Sequence, residues 1–173
     1  MGWVDAPVKS RDIVPAAEKL LEEIKSEGFT HAVVLGMGGS SLAPEVFSKV
    51  NNKKSGISMS ILDSTNPDQI QEKVNEILIE KTLFILSSKS GTTAEMRTLF
   101  SYFWEQVSEI EREPGNHFIA ITDPETQLEK LGKSKKFRKV FNSDPNVGGR
   151  YSALIAFGII PAVLAGLDGY ALL

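Results

Sequence analysis

The stretch 82–100, TLFILSSKSGTTAEMRTLF, decides how this chain folds. Its first five residues, Thr82–Leu86, form an apolar run of the kind that becomes a buried strand. From Ala94 onward apolar residues recur at helical spacing, which predicts an amphipathic helix. Between them lies the loop 87–93, SSKSGTT, in which five of seven residues carry hydroxyls. A strand that ends in clustered donors at a helix N-terminus is suited to bind an anion, most readily a phosphate.

Short apolar runs and amphipathic stretches alternate along the whole chain, which is typical of an α/β protein. Strands are predicted at 32–35, 57–62, 82–86, 118–122 and 139–141. Helices are predicted between Asp12 and Gly28, over 41–50, and after the starts Asn66-Pro67, Ala94 and Asp123-Pro124. We therefore predict a three-layer, doubly wound, five-stranded parallel sheet flanked by helices, with a flavodoxin-like arrangement. Ligands are expected at the C-terminal strand ends, near the topological switch point.

Composition is that of a soluble globular protein of one domain. The 173 residues are 42% hydrophobic and 24% charged, with a formal net charge of -3. This charge gives no general reason to expect nucleic acid, and the basic run 130–139 is interpreted as a solvated surface. There is no cysteine, and the two histidines, His31 and His117, are far apart, so no metal site is expected. No secretory signal opens the sequence, and we expect a cytoplasmic protein.

The longest uncharged stretch, 151–167, is predicted to be a buried helix rather than a membrane span. It is short for a bilayer and contains Gly158, Pro161 and Gly166. A helix that is apolar on all sides needs cover from more than one neighbour. We therefore expect a partner on 151–167, either a second copy in a homodimer or a further domain.

A glycine-rich motif, 36–41 (GMGGSS), follows the first strand and opens a helix. Its glycines let the backbone come close to a bound group, and the amides of the next turn face that group. As a dinucleotide fingerprint the motif is weak because Ser41 replaces the last glycine, although Asp63 could imitate the ribose-binding acid. A tight turn capped by Ser40 or Ser41 explains the motif equally well.

The hydroxyl-rich loop is the stronger candidate. Ser88, Ser90 and Thr93 can donate hydroxyl hydrogen bonds, and Lys89 can add its charge or its backbone amide. Each charge-assisted hydrogen bond to a phosphate contributes about 1.5–3 kcal/mol, and the helix dipole favours an anion. The alternative is a serine-rich helix cap, because Glu95 completes a capping box with the threonines.

The segment 148–150 places two glycines beside Arg150, at the mouth of the apolar stretch. A charged arginine in this position needs an acceptor. A ligand phosphate or oxyanion would serve, and so would a carboxylate such as Glu95. A structural ion pair is therefore the alternative to a ligand contact.

Three motifs together resemble the signatures of the phosphoglucose isomerase family. They are 36–44 (GMGGSSLAP), 88–93 (SKSGTT) and 148–152 (GGRYS), in the family's order and each after a predicted strand. The likeness is greatest to the isomerase half of the bifunctional transaldolase–phosphoglucose isomerases. It implies that 1–173 is one sugar-isomerase (SIS) domain with 1–12 as a lead-in, and that the family's second SIS domain is absent from this chain.

The resemblance also implies an activity and a set of site residues. The family interconverts glucose 6-phosphate and fructose 6-phosphate by proton transfer through a cis-enediolate, with no cofactor and no metal. Arg150 and Gly149 would lie beside the reacting carbons, where the guanidinium stabilises the enediolate. The residues that would hold the sugar phosphate are Ser40, Ser88, Lys89, Ser90 and Thr93, with Gly38 and Gly39 as a backbone cradle.

The family's catalytic base, and the lysine and histidine linked to ring opening, come from later sequence than this chain contains. We therefore expect this chain alone to bind a sugar phosphate but to show little or no isomerase activity. The expected partner is a small-molecule sugar phosphate, with no nucleic acid and no membrane. The alternatives are a non-catalytic phosphosugar-sensing SIS module and a SIS isomerase for another sugar phosphate.

Overall fold

A computed structural model describes residues 2–50 and 55–173, which contain one parallel sheet with helices on both faces. The strands are β1 His31–Gly36, β2 Ser58–Leu62, β3 Thr82–Ser87, β4 Phe118–Thr122 and β5 Lys139–Asn142. Every neighbouring pair is parallel, and the order is β2-β1-β3-β4-β5. This confirms the predicted five-stranded doubly wound sheet. The strand order reverses between β1 and β3, which makes that point the topological switch.

Helices connect and flank the strands. They are α1 Ala6–Lys9, α2 Ile13–Ser26, α3 Gly39–Val50, α4 Pro67–Glu76, α5 Ala94–Ile110, α6 Gln127–Ser134, α7 Ala156–Leu164 and α8 Gly169–Leu172. Short 3-10 turns lie at Ser10–Asp12, Ile79–Lys81, Pro114–His117 and Gly149–Leu154. The predicted lead-in thus begins with helical turns, and the turn at Gly149–Leu154 carries the third sequence motif.

Two predicted helix starts have different outcomes. Asn66 caps α4 as predicted, because its side chain accepts a hydrogen bond from the amide of Asp68 at 2.8 Å. The prediction that Asp123 starts a helix is wrong. Helix α6 begins later, at Gln127, where the side chain of Thr126 provides the cap. The carboxylate of Asp123 is instead engaged in an ion pair.

Alternate residues of the central strand fill two cores, one on each face of the sheet. Leu83 and Ile85 of β3 belong to the core shared with α2 and α7. Phe84 and Leu86 belong to the core shared with α5. All six residues of β3 are buried, which is the usual state of a central strand in a parallel sheet. The strand that leads into the hydroxyl-rich loop is therefore held from both sides.

The apolar stretch 151–167 contains less α-helix than predicted and is covered by the chain itself. Only Ala156–Leu164 is α-helical, and all nine of its residues are buried. This helix, α7, packs against α2, α3 and β4. The reason for expecting an outside partner here is therefore wrong for α7, while self-association of the chain stays a prediction. Within 2–50 and 55–173, no helix is long and apolar enough to cross a bilayer.

Glu129 ties α6 to its surroundings through three hydrogen bonds to its carboxylate. The donors are Lys133 Nζ at 2.7 Å, the amide of Glu125 at 2.5 Å and Asn142 Nδ2 at 3.3 Å. These bonds, led by the one from Lys133, lower the pKa of Glu129 from 4.5 to about 2. A carboxyl with a lowered pKa stabilises the fold above its unfolded pKa and loses that effect as the pH falls through its folded pKa.

We expect Glu129→Gln to lower the free energy of unfolding at pH 7. The variant should also lose less stability than the wild type between pH 4.5 and about 2. In this interval the carboxyl of Glu129 is protonated in the unfolded chain but still ionised in the folded one. Urea unfolding at a series of pH values measures both effects. Glu109→Gln, an exposed carboxylate on α5, is the matched control. Identical pH profiles for the two variants would contradict this role of Glu129.

Candidate phosphate-binding site

The carboxyl ends of β1 and β3 bring two of the three motifs together. Gly36 and Ser87 are register partners at the ends of these strands. The hydroxyl of Ser87 donates a hydrogen bond to the carbonyl oxygen of Ser40 at 3.1 Å. The glycine-rich loop and the hydroxyl-rich loop therefore lie side by side at the switch point, where open α/β sheets bind ligands.

The third motif packs directly against the glycine-rich loop. A Cβ on Gly39 would lie 2.5 Å from the carbonyl oxygen of Gly149, so this approach requires a residue without a side chain. The hydroxyl of Ser152 bridges the two backbones, 3.0 Å from the oxygen of Gly39 and 2.7 Å from that of Gly149. The glycine-rich loop thus lies between the hydroxyl-rich loop and the third motif, at the carboxyl end of the sheet. Ser152 belongs to the third motif, but the sequence analysis did not nominate it as a site residue.

The glycine-rich loop turns sharply into α3. Gly38 has a positive φ of 58°, a conformation that favours glycine. Ser41 is buried, and its hydroxyl donates to the carbonyl oxygen of Gly38 at 2.9 Å. Ser41 is therefore used within the turn. The hydroxyl of Ser40 has no hydrogen-bond partner among residues 2–50 and 55–173, which leaves it available to a ligand.

Ser88 organises the hydroxyl-rich loop. Its side chain is only 2% exposed, and its Oγ accepts a hydrogen bond from the amide of Gly91 at 3.1 Å. Ser88 Oγ also lies 2.9 Å from Thr93 Oγ1, so these two hydroxyls share a hydrogen bond. Thr93 is the N-cap of α5, yet its side chain makes no capping bond. The predicted capping box with Glu95 is therefore wrong, and the first-turn amides of α5 remain open to an anion.

The outer part of the loop is shaped by Gly91. Its φ is +68°, and a Cβ there would lie 2.8 Å from the amide nitrogen of Leu128, at the start of α6. Ser90 and Thr92 on either side are exposed, with their hydroxyl oxygens 3.0 Å apart. Because glycine allows both the turn and the close approach, the loop rests on α6 while its two outer hydroxyls face solvent.

Lys89 directs its charge away from the hydroxyls of the loop. Its Nζ lies 2.6 Å from Asp123 Oδ2, directly after β4. The same Nζ lies 3.4 Å from the carbonyl oxygen of Asp144 and 3.3 Å from that of Pro145. The sequence left open whether Lys89 offers a ligand its charge or its amide, and here the charge is used in an ion pair. Sequence reasoning missed this role of Asp123, because an Asp-Pro pair after a strand is also a helix-start signal.

Arg150 is exposed on the 3-10 turn at Gly149–Leu154. Within the described ranges its guanidinium forms no ion pair, so the structural alternative with Glu95 is not observed. A cavity of about 260 Å³ lies beside it, lined also by Leu42 and Val46 of α3. A cavity of about 650 Å³ lies at the opposite, amino-terminal end of β1 and β2. We assign the site to the carboxyl end, because the three motifs meet there.

Helix α3 carries an exposed apolar face next to Arg150. Leu42, Val46 and Val50 follow one another at four-residue spacing and are 60%, 57% and 65% exposed. Tyr151, which follows the arginine, is also exposed and stacks on Trp3 with the ring centroids 5.6 Å apart. The exposed apolar surface of the described residues near the site therefore lies on α3 and at Tyr151, whereas α7 is buried.

The model of the phosphoglucose isomerase family matches residues 19–173. The chain belongs to the phosphoglucose isomerase family. This confirms the resemblance that the three motifs indicated, and all candidate site residues lie inside the matched range. The three motifs that converge at the switch point therefore all lie in the part of the chain that matches the family.

Several known proteins match nearly all of this chain. A glucose-6-phosphate isomerase from Prochlorococcus marinus subsp. pastoris is 33% identical over 165 residues, which are 91% of this chain and 31% of that protein. The crystal structure of a Thermus thermophilus protein has a TM-score of 0.90 at 30% identity, covering 99% of this chain and 41% of its own. A glucose-6-phosphate isomerase from Chlamydia trachomatis has a TM-score of 0.74 at 30% identity, covering 90% and 30%. The chain spans less than half the length of each of these relatives.

Proposed function

We propose that this chain is the phosphosugar-binding domain of a cytoplasmic glucose-6-phosphate isomerase. Such an enzyme interconverts glucose 6-phosphate and fructose 6-phosphate in glycolysis and gluconeogenesis, through a cis-enediolate. The observation that carries the proposal is that the glycine-rich loop contacts both the third motif and Ser87, the first residue of the hydroxyl-rich loop. Membership of the phosphoglucose isomerase family, and relatives named glucose-6-phosphate isomerase, support the substrate.

The substrate phosphate binds at the N-terminus of α5 in this proposal. The uncapped first-turn amides and the helix dipole both favour an anion there. The hydroxyls of Ser88 and Thr93 exchange their mutual hydrogen bond for bonds to phosphate oxygens, and Lys89 contributes its backbone amide. The remaining groups of the proposed phosphate site are the hydroxyls of Ser40 and Ser90 and the backbone cradle of Gly38 and Gly39.

The reacting end of the sugar lies beside Gly149 and Arg150. The guanidinium of Arg150 forms no ion pair within the described residues, so it is free to stabilise the negative charge of the enediolate. Gly149 lets its backbone approach the sugar, because the space that a Cβ would occupy there is open. Binding of the phosphate at α5 positions the reacting carbons, so the phosphate acts as a remote handle for catalysis.

Neither histidine of this chain can serve the reaction. His31 is the first residue of β1 and His117 directly precedes β4, so both lie at the end of the sheet opposite to the motifs. His117 is buried and its Nδ1 lies 2.9 Å from the carbonyl oxygen of Thr82. In this proposal the groups that transfer the proton come from outside these 173 residues, as the family resemblance implies.

We expect the isolated chain to bind fructose 6-phosphate but not fructose. Ser88→Ala should weaken binding about tenfold, because it removes one phosphate hydrogen bond and the acceptor of the Gly91 amide. Ser101→Ala, an exposed hydroxyl on α5, should leave the affinity unchanged. Isothermal titration measures the affinities, and urea unfolding shows whether each variant remains folded. Ser88 needs this check because it is nearly buried, unlike an ordinary loop residue.

Two further results would contradict the proposal. Equal affinity for fructose 6-phosphate and fructose would rule out the proposed phosphate site. Preference for glucosamine 6-phosphate or arabinose 5-phosphate would assign the site to another sugar phosphate. A coupled assay should show little or no isomerase turnover by the isolated chain, and near-normal turnover would show that the base lies within it.

A further inference from the structure

We propose that Asp123 is a positioning residue for the phosphate-binding loop and that it acts through Lys89. The inference rests on the proposed function, because it concerns how the loop at the start of α5 is held in shape. Asp123 lies directly after β4 and belongs to none of the three motifs. Its role follows from five contacts at residue 89 and from the burial of the charges.

Lys89 is attached to the end of β4 through both its backbone and its side chain. Its carbonyl oxygen accepts a hydrogen bond from the amide of Asp123 at 3.2 Å and lies 3.4 Å from Thr122 Oγ1. Its ammonium returns to the same place, 2.6 Å from Asp123 Oδ2. The preceding residue, Ser88, donates its amide to the carbonyl of Ile121 at 3.1 Å. The start of the loop thus continues the pairing of β3 with β4 beyond the strands.

Partial burial strengthens the ion pair between Lys89 and Asp123. The side chains of Lys89 and Asp123 are 26% and 17% exposed, so water screens their attraction less than on an open surface. The second carboxylate oxygen, Asp123 Oδ1, is buried and has no hydrogen-bond partner among the described residues. If the ammonium of Lys89 moved to a bound phosphate, the carboxylate would lose its only counter-charge among the described residues while partly buried, which is strongly unfavourable. The ammonium therefore stays on Asp123.

The same ammonium also reaches the segment after β5. Its distances of 3.4 Å and 3.3 Å to the carbonyl oxygens of Asp144 and Pro145 place one cation between the ends of three strands. This arrangement fixes the backbone at residue 89 before a ligand arrives. A preorganised loop binds more tightly, because less conformational freedom is lost on binding.

Two roles of Lys89 give opposite expectations for Asp123→Asn. If the ammonium contacted the phosphate, removing its competitor would leave binding unchanged or tighten it. If Lys89 acts through Asp123, then Asp123→Asn and Lys89→Met should each weaken fructose 6-phosphate binding about tenfold. The double variant should then bind no more weakly than either single variant, because all three have lost the same contact.

Isothermal titration of fructose 6-phosphate into the wild-type chain and these three variants tests the inference, with Lys130→Met on the exposed face of α6 as control. Amide hydrogen exchange of Gly91 and Thr92 without ligand is the second measurement, and it should become faster in each of the three variants than in the control. Wild-type affinity or wild-type exchange in Asp123→Asn would overturn the inference, and so would losses that add in the double variant. Failure of the wild type to bind fructose 6-phosphate would instead contradict the proposed function. The exchange rates of Gly91 and Thr92 would still show whether Asp123 holds the loop in shape.

Discussion

Gly39→Ala is expected to abolish binding of the sugar phosphate and to destabilise the chain. The new Cβ would lie 2.5 Å from the carbonyl oxygen and 2.7 Å from the carbonyl carbon of Gly149. Both neighbours are backbone atoms, so no flexible side chain can move aside. Overpacking of this kind costs about 1–3 kcal/mol, and relief of the clash must separate the first motif from the third. The separation would also break the bridge made by Ser152.

Two neighbouring glycines provide the controls. A Cβ on Gly149 would meet nothing within 4 Å, and one on Gly148 would be 3.7 Å from Tyr151 Cδ2, an ordinary contact. Gly149→Ala and Gly148→Ala should therefore keep nearly wild-type free energies of unfolding. Urea unfolding compares all three variants, and titration with fructose 6-phosphate compares Gly39→Ala with Gly148→Ala, because Gly149 belongs to the proposed site. Gly39→Ala with the stability and affinity of the wild type would refute the close contact of the motifs.

Phe84→Ala is expected to give the largest loss of stability. Phe84 is 0% exposed on β3, with its ring centroid 4.5 Å from that of Phe103 and 5.3 Å from that of Phe118. Truncation of a buried phenylalanine costs about 3–5 kcal/mol, through lost burial and the cavity left behind. Since a domain is stable by only about 5–15 kcal/mol, this single change would remove a large part of the total. The strand that holds the hydroxyl-rich loop would lose its packing on α5.

Two controls identify the cavity as the cause of that loss. Phe84→Leu keeps most of the buried volume and should cost clearly less. Leu42→Ala removes an apolar side chain that is 60% exposed and should change the free energy of unfolding little. Chemical unfolding with urea measures all three values. Equal losses for Phe84→Ala and Leu42→Ala would contradict the packing described here.

The sequence predicted the sheet well because its signals are local. Each strand is a short apolar run, and each run reappears in the sheet with its ends shifted by a residue or so. The candidate site followed from the same pattern, because the carboxyl ends of neighbouring parallel strands meet at one edge. Thr82–Ser87 and the loop after it illustrate both points, since one segment defines the central strand and the proposed phosphate site.

Contacts between distant residues were beyond such reasoning. The ion pair of Lys89 and Asp123 joins residues 34 positions apart, and a local helix-start signal at Asp123-Pro124 hides it. The local sequence also allowed a capping box of the threonines with Glu95, but the hydroxyl of Thr93 bonds to Ser88, a contact that only the folded loop reveals. Hydropathy showed that α7 needs cover, yet it could not show that α2 and α3 supply it.

The bridge from Ser152 to Gly39 closes a span of 113 residues. Contacts of such sequence separation form late, because the entropy of closing the chain must be overcome first. A ribosome therefore has to release the chain as far as Ser152 before the proposed cleft for the sugar ester can exist. Affinity for that ester would consequently serve as a gauge of completed folding.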